Sequence, residues 1–238
     1  MFTSKSLSFL RSLKRNNKRE WFHERRDQYD RHCRQPVLDI IERLADDMPA
    51  IAPEMVIDPK VNLLRPFRDT RFSEDKTPLK THVGATIPNR ALGRMNGAGF
   101  YFEVAPAWTW IGGGLWRPDT SQLHLVREHI VDNLDEFEKI VGAPRLKKLG
   151  GLQGDRLTRV PRGFAKDHPA ADYLQYRQFM AFREDPAAFA TRQDFYKQVR
   201  DTLATIAPLV RFLNEPLVAS LQTDRRAHIF DDDELRFG

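Results

Sequence analysis

The hydrophobic positions follow a helical repeat at the start of the chain. Residues 4–14 carry an apolar stripe at helical spacing, and a longer helix is predicted over residues 18–47. We expect Pro36 to kink or split this helix, because proline lacks the backbone N–H and clashes with the preceding turn. Asn17, with Glu20 three residues later, has the pattern of an N-cap. The N-terminal fifth of the chain is therefore predicted to be helical.

In the middle of the chain the pattern changes to short runs in which apolar and polar residues alternate. Such runs predict strands of an antiparallel sheet. The three tryptophans Trp108, Trp110 and Trp116 are separated by even numbers of residues, so they are expected to share a face. We interpret that face as part of the core rather than as a platform for stacking bases or sugars. The predicted strands are 56–57, 61–64, 79–87, 100–104 and 108–116.

Helical spacing returns after Pro118 and again over residues 186–214, and residues 176–182 suit one more strand. Residues 142–168 are rich in glycine and are predicted to be mostly irregular. The sequence thus predicts an α+β fold, with a mostly antiparallel sheet from the middle of the chain packed against N- and C-terminal helices. It is interpreted as one domain over 1–215, followed by a C-terminal extension over 216–238 with an acidic tail.

Charge and cysteine content limit the class of protein. The net charge of the 238 residues is +5, and residues 1–35 hold ten basic side chains against four acidic ones. These cations are either a solvated helix face or a surface for nucleic acid or an acidic protein. Cys33 is the single cysteine, which excludes an intramolecular disulfide. With no apolar run near the roughly 20 residues of a membrane span, the sequence predicts a soluble cytoplasmic protein without membrane contact.

The segment from Arg65 to Lys80 is the densest concentration of charge in the sequence. It holds five cations and three carboxylates, interleaved with aromatic residues and prolines. Guanidinium groups at this density either pair with local carboxylates, as a structural ion-pair network, or converge on an anion. If they converge on an anion, the predicted ligand contacts are Arg65, Arg68, Arg71, Lys76, Lys80 and the backbone of Gly113, which lies in a run of three glycines.

Candidates for acid–base chemistry come from the same part of the chain. They are Asp69, Asp75, Lys76 and His82. His82 follows Lys80 by two residues, so both are expected on one face of a strand. The spacing of the histidines fits no metal motif, and no dinucleotide or phosphate-loop fingerprint is present, so neither a metal nor a cofactor is predicted.

The charged segment also resembles a known family. The run Arg65-x-x-Arg68-Asp69-x-Arg71-Phe72-x-x-Asp75-Lys76-x-Pro78 resembles the signature of the uncharacterised bacterial domain-of-unknown-function family 2461. The N-terminal pattern Phe9-Leu10…Trp21-Phe22, the run Gly112-Gly113-Gly114-Leu115-Trp116-x-Pro118 and the segment near Pro169 are similar to that family as well. The resemblance covers about residues 5–215, and it implies no established activity.

Three functions stay open on the sequence alone. The first is a small-molecule site for an anion such as phosphate or carboxylate, with or without catalysis. The second is a module that binds nucleic acid or an acidic protein through the basic N-terminal helix. The third is a purely structural or oligomeric role. The sequence does not decide whether the protein is an enzyme, nor its oligomeric state.

Overall fold

The computed structural model describes residues 1–71, 73–94 and 96–234, with side chains up to residue 223 in the last helix. The strands are β1 (Val83–Ile87), β2 (Gly99–Val104), β3 (Trp108–Leu115) and β4 (Phe179–Pro186). The α-helices are α1 (Ser4–Arg15), α2 (Arg19–Glu24), α3 (Arg26–Tyr29), α4 (Gln35–Ile51), α5 (Pro59–Asn62), α6 (Thr120–Asp132), α7 (Leu134–Gly142), α8 (Pro144–Lys148), α9 (Ala171–Leu174) and α10 (Phe195–Glu234). A π-helix (Asp30–Arg34) joins α3 to α4, and a 3-10 helix (Ala187–Thr191) precedes α10.

The four strands form one antiparallel sheet in the order β1-β2-β3-β4. One face of this sheet is the core face, where Phe100, Phe102 and Val104 of β2 are fully or almost fully buried. α10 packs against β2 and β3, and α4 packs against β1. The sequence prediction of an α+β fold, with a central antiparallel sheet and helices from both ends of the chain, is confirmed.

The other face of the sheet, called the outer face below, carries the alternate residues of the same strands. Tyr101 and Glu103 of β2 lie on it, opposite Gly112 and Trp110 of β3. The side chains of Tyr101, Glu103 and Trp110 are only partly buried, and Trp108 at the start of β3 is 38% exposed. One face packed and one face open to water is common in antiparallel sheets.

The prediction that the tryptophans face the core is wrong for all three. Trp110 pairs with Glu103 and lies on the outer face, where it is partly buried. Trp108 lies on the outer face at 38% exposure. Trp116 is 52% exposed, because β3 ends at Leu115 and the chain turns away from the sheet. The spacing correctly indicated a common face for Trp108 and Trp110, but a shared face carries no information about which side helices cover.

Two glycines of β3 have distinct structural roles. Gly112 makes room for the indole of Trp110: a Cβ added there would lie 2.8 Å from Trp110 Cη2 and 2.4 Å from Phe182 Cβ. Gly114 has φ +134° and would place a Cβ 2.0 Å from the carbonyl oxygen of Phe179. Only glycine is compatible with both this dihedral angle and this contact. The glycine run therefore serves packing and strand geometry.

The predicted long helix over 18–47 is broken into four parts. α2 ends at Glu24, and α3, the π-helix and α4 continue the path. Pro36 does not end the helical path. It lies in α4 directly after the π-helix, and Arg34 and Gln35 before it keep right-handed helical dihedral angles. Asn17 is not the N-cap of α2. Lys18 takes that position without a side-chain hydrogen bond, because the Asn17 side chain binds Leu79 instead.

The prediction of a strand over 61–64 is also wrong. Asp58 caps α5 by accepting a hydrogen bond from the N–H of Lys60 (2.8 Å), and Pro59 takes the first helical position. The buried amide of Asn62 donates to the carbonyl oxygens of Val56 (2.8 Å) and Thr86 (3.0 Å). A short capped helix, tied to β1 through an asparagine, replaces the expected strand.

Differences at the C-terminal end concern the bounds of elements. β4 begins at Phe179 rather than at residue 176, and α10 begins at Phe195 after the 3-10 helix. α10 runs on past the predicted end at Asn214, as far as Glu234. The side chains of the predicted acidic tail lie outside the described residues, and the division at 215/216 stays a prediction. In the part of the chain that the structure describes, no helix has both the length and the apolarity to cross a membrane.

Candidate functional site

The charged segment Arg65–Lys80 forms a narrow loop whose two ends lie side by side. The N–H of Arg68 donates to the carbonyl oxygen of Pro78 (2.9 Å), and the N–H of Lys80 donates to that of Pro66 (2.7 Å). These two bonds close the base of the loop, and residues 69–77 form its tip. Pairing of Leu64 N–H with Gly84 O (3.1 Å) holds the base beside β1. Arg65 and Lys80 are therefore placed at the base, next to the sheet.

Charges at the tip pair with one another. The guanidinium of Arg71 donates to both carboxylate oxygens of Asp69 (3.0 and 2.8 Å), and that of Arg68 pairs with Asp75. Asp75 also accepts a hydrogen bond from the N–H of Thr77 (2.9 Å). These donors lower the pKa of both aspartates to about 2.

The low pKa values of Asp69 and Asp75 affect the acid–base role that the sequence predicted for them. An aspartate that holds its proton only near pH 2 is a poor proton acceptor at neutral pH. Lys76, the remaining predicted contact, donates to the carbonyl oxygen of Thr70 (3.0 Å) within the loop. The tip thus has the geometry of the ion-pair network that was one of the two interpretations of the segment.

At the base of the loop, Lys80 has a different environment. Its side chain is half-buried, and within the described residues its ammonium group makes no hydrogen bond or ion pair. Burial is the largest cause that lowers the pKa of Lys80, and the positive charges of Arg65 and Arg94 lower it further. Glu103 acts in the opposite direction. Lys80 is therefore a partly dehydrated cation among other cations.

His82 lies next along the chain, just before β1. Its Nε2 is 3.4 Å from Oε2 of Glu103. Burial lowers the pKa of His82; Glu103 raises it and Lys80 lowers it, with a net shift downward. The contact with Glu103 alone would favour imidazolium, but dehydration outweighs it. The carboxylate favours the proton of the neutral ring on Nε2, which leaves Nδ1 as an acceptor.

Glu103 is the centre of a group of polar side chains on the outer face, called the polar cluster below. The other members are His82, Tyr101 and Trp108, which all contact Glu103. The side chain of Glu103 is only 14% exposed. The hydroxyl of Tyr101 donates to Oε2 (2.6 Å), and the indole N–H of Trp108 donates to Oε1 (3.0 Å). Burial and the nearby carboxylate both raise the pKa of Tyr101, so its hydroxyl keeps its proton. The carboxylate is thus fixed in position by two donors and faces His82.

Gly113 does not join this cluster. It lies in β3 between β2 and β4, and a Cβ added to it would lie 2.8 Å from the carbonyl oxygen of Gly99 and 3.3 Å from Ile206 Cγ2 in α10. Gly113 therefore faces the core side of the sheet, whereas Glu103 faces the other side. The structure brings Arg65 near Lys80 and Lys80 near His82 among the predicted residues. Arg65 also lies near enough to Asp69 of the tip to lower the pKa of that carboxyl, whereas Gly113 lies apart.

Two concave surfaces lie elsewhere. One, of about 410 Å³, is lined by residues from Trp116 to Leu123 together with Asp155, Arg177 and Gln178. The other, of about 530 Å³, lies between α1 and the segment from α2 to the π-helix and includes Trp21 and Arg25. Neither contains Lys80, His82 or Glu103. The polar cluster is favoured because its titratable groups are dehydrated and in contact, which is typical of functional sites.

In the basic N-terminal segment some of the cations have local partners. Arg25 pairs with Glu24 (2.7 Å), and Arg26 pairs with Asp30 (3.0 Å) one helical turn away. The guanidinium of Arg25 also lies 4.7 Å from the ring centroid of Trp21. These contacts resemble those of a solvated helix face.

Sequence reasoning missed Glu103, Tyr101 and Arg94. Tyr101 and Glu103 are the two polar members of a strand whose other residues are apolar, and that alternation alone marks one face. Their proximity to His82 depends on the register of β1 against β2, in which Gly84 lies opposite Glu103. Register is a tertiary property that the segment around His82 does not specify by itself.

With this geometry established, comparison with known proteins adds the family. A family model described as "Conserved hypothetical protein (DUF2461)" matches residues 5–212. The chain belongs to the DUF2461 family. The DUF2461 match runs from α1 into α10 and so includes the loop, the sheet and the polar cluster, and it confirms the resemblance seen in the sequence. No curated protein matches the chain.

Proposed function

We propose that this protein binds a small anionic ligand, a phosphate or a carboxylate, at the base of the charged loop beside the outer face of the sheet. The observation that carries the proposal is Lys80, a half-buried ammonium without a hydrogen bond in the described residues, near the charges of Arg65 and Arg94. A dehydrated cation among like charges is unfavourable unless an anion offsets it. The ligand would supply that compensation.

The neighbouring pair His82 and Glu103 supports an acid–base role toward the bound ligand. Neutral His82 has an acceptor nitrogen, and Glu103, fixed by Tyr101, would stabilise the imidazolium formed when Nδ1 takes a proton. In such a pair the carboxylate orients the ring, and the ring exchanges the proton. We therefore propose acid–base catalysis by His82 and Glu103 as a possible activity of the protein, and this activity requires that the anion site exists.

Titration with inorganic phosphate by isothermal calorimetry at low ionic strength tests the anion site. Lys80→Gln should weaken binding by tenfold or more, because a hydrogen bond from a charged donor is lost. Lys80→Arg should restore much of the affinity. Lys76→Gln is the matched control, since its ammonium donates to Thr70 O within the tip, and it should bind as the parent does.

Three results would contradict the proposal. Phosphate and acetate that both fail to bind the parent protein would remove the anion site. Equal affinity of the parent and Lys80→Gln for phosphate would mean that phosphate does not bind at the base of the loop. A loss in Lys76→Gln as large as that in Lys80→Gln would move the site to the tip. Circular dichroism of each variant excludes loss of folding as the cause.

The cellular location is proposed separately. The buried thiol of Cys33, whose pKa burial raises, is unreactive and needs no oxidising environment. Together with the lack of any disulfide this supports a cytoplasmic location. Fractionation of cells that express the tagged full chain checks it, and recovery in another fraction would contradict it.

A further inference from the structure

Trp108 is the exposed aromatic residue of the polar cluster. It is 38% exposed, although its indole N–H is engaged with Glu103 at 3.0 Å. The hydrogen bond fixes the orientation of the ring, and part of the surface of the residue stays open to solvent. An aromatic ring held in place in this way costs little conformational entropy when a ligand binds to it.

The other aromatic residues of the outer face are engaged with one another. Trp110 stacks on Phe182 with ring centroids 4.7 Å apart, and Tyr101 meets Trp110 edge to face at 5.5 Å. Trp108 makes no ring contact of this kind in the part of the chain that the structure describes. It is therefore the ring of this face that is available to a ligand.

We propose that the ligand of this site carries a planar nitrogen heterocycle in addition to its anionic group, as in a nucleoside monophosphate, and that the heterocycle stacks on Trp108. This inference rests on the proposed anion site. The charge pattern sets the orientation of the ligand: the anionic group lies toward Lys80, Arg65 and Arg94, away from the carboxylate of Glu103. The uncharged ring then lies at the Trp108 end.

Glu103 adds a second reason for a nitrogen heterocycle. Its two oxygens offer about four acceptor positions, and three neighbours, Tyr101, Trp108 and His82, occupy or face them. A ring N–H or exocyclic amino group of the ligand would take the remaining position. A plain apolar ring would stack on the indole but would leave that acceptor unused.

The experiment compares three probes: adenosine 5′-monophosphate, ribose 5-phosphate, which lacks the base, and adenosine, which lacks the phosphate. In the parent protein we expect the nucleotide to bind about 5- to 150-fold more tightly than ribose 5-phosphate, the range that one stacked base contributes. Trp108→Leu should abolish this preference, so that the nucleotide and ribose 5-phosphate bind with equal affinity. Trp108→Phe, which keeps a ring but not the N–H, should retain part of it.

Trp116→Leu is the matched control, because Trp116 is exposed (52%) but lies beyond the end of β3. Its preference for the nucleotide should equal that of the parent. Thermal melts establish whether each variant folds. If Trp108→Leu does not fold, the partial loss of preference expected in Trp108→Phe tests the stacking instead.

The possible outcomes separate this inference from the anion site. Equal affinities for nucleotide and ribose 5-phosphate, both weakened by Lys80→Gln, would overturn the heterocycle and leave the anion site standing. A nucleotide preference that survives in Trp108→Leu would overturn the stacking on Trp108. Equal affinities for adenosine and the nucleotide, with nucleotide binding unaffected by Lys80→Gln, would overturn the anion site and with it this inference.

Discussion

The side-chain amide of Asn17 forms two hydrogen bonds with the backbone of Leu79, which is 62 positions away in the sequence. Its nitrogen donates to the carbonyl oxygen (2.9 Å), and its oxygen accepts from the N–H (3.0 Å). The Asn17 amide thus makes with Leu79 of the charged loop the two hydrogen bonds that a neighbouring strand would otherwise make. Through this contact the junction between α1 and α2 holds the base of the loop on which Lys80 lies.

We predict that Asn17→Ala lowers the free energy of unfolding by about 2 kcal/mol, since two hydrogen bonds of about 1 kcal/mol each are lost. Urea denaturation measures the change. Asn16→Ala is the control, because Asn16 is exposed and its amide donates to Ser12 within its own helix region (2.9 Å). Its cost should stay within about 0.5 kcal/mol. Equal costs for the two variants would contradict a specific clamp at Asn17.

Asn17 also illustrates what the sequence does and does not predict. The pattern around it is that of an N-cap, and local chemistry alone gives no reason to expect otherwise. The tertiary partner Leu79 takes the amide instead. Likewise, residues 61–64 resemble a strand because three of the four are apolar, but the cap at Asp58 and Pro59 at the first helical position begin a helix there instead. Those helix signals were present in the sequence.

The sheet was predictable to a larger extent. In β2 the alternation of Phe100, Phe102 and Val104 with polar residues corresponds to the buried face of the strand. The charge of the loop was also visible. The predicted strand over 79–87 begins only at Val83, so Lys80 and His82 lie before β1 and not on a strand. The role of Glu103 was not visible, because it joins the cluster only through the pairing of β1 with β2. Periodicity identifies faces of strands, whereas register decides which residues meet.

A second amide clamp in the core gives a larger predicted effect. The side chain of Asn214 in α10 accepts from the N–H of Ala98 (2.8 Å) and donates to its carbonyl oxygen (3.0 Å), and both residues are buried. Asn214→Leu should cost about 3 kcal/mol, because two buried backbone groups lose their partners. Gln222→Leu, at an exposed position of the same helix, should change stability by less than about 0.5 kcal/mol. Chemical denaturation checks both; a similar small cost for Asn214→Leu would mean that water replaces the amide.

Gly112 is predicted to be intolerant of any side chain. Ala at this position would place its Cβ 2.7 Å from the carbonyl oxygen of Ala181 and 2.8 Å from Trp110 Cη2. We expect Gly112→Ala to cost about 2 kcal/mol through overpacking and to shift the tryptophan emission as the Trp110 ring is displaced. Gly142→Ala, at the end of α7, should be neutral or stabilising by up to about 1 kcal/mol, because within the described residues nothing outside its own helix and its chain neighbours lies within 4 Å of the added Cβ. Unchanged emission and stability in Gly112→Ala would contradict the packing of Trp110 over this glycine.

The lowered pKa of His82 predicts how stability depends on pH. In the folded state burial, the largest cause, together with the charge of Lys80, outweighs the attraction of Glu103, so imidazolium is disfavoured. The unfolded chain therefore binds more protons than the folded chain as pH falls below about 6.5, the ordinary histidine value. Stability from this group is present above that pH and is lost as pH falls toward the lower pKa of the folded state. His82→Gln cannot titrate, so its stability should fall less steeply in this window.

Urea denaturation of the parent and of His82→Gln at pH 7.5, 6.5 and 5.5 measures the difference in slope. His124→Gln is the matched control, because it makes the same substitution at an exposed position (56%) of α6. The aspartates of the tip, with pKa values of about 2, titrate far below this range and do not contribute. A slope that is steeper in His82→Gln than in the parent would mean that Glu103 stabilises imidazolium in the folded protein. The pKa of His82 would then be raised rather than lowered in the folded protein, and the imidazolium form would act as a cation toward the ligand rather than as a proton acceptor.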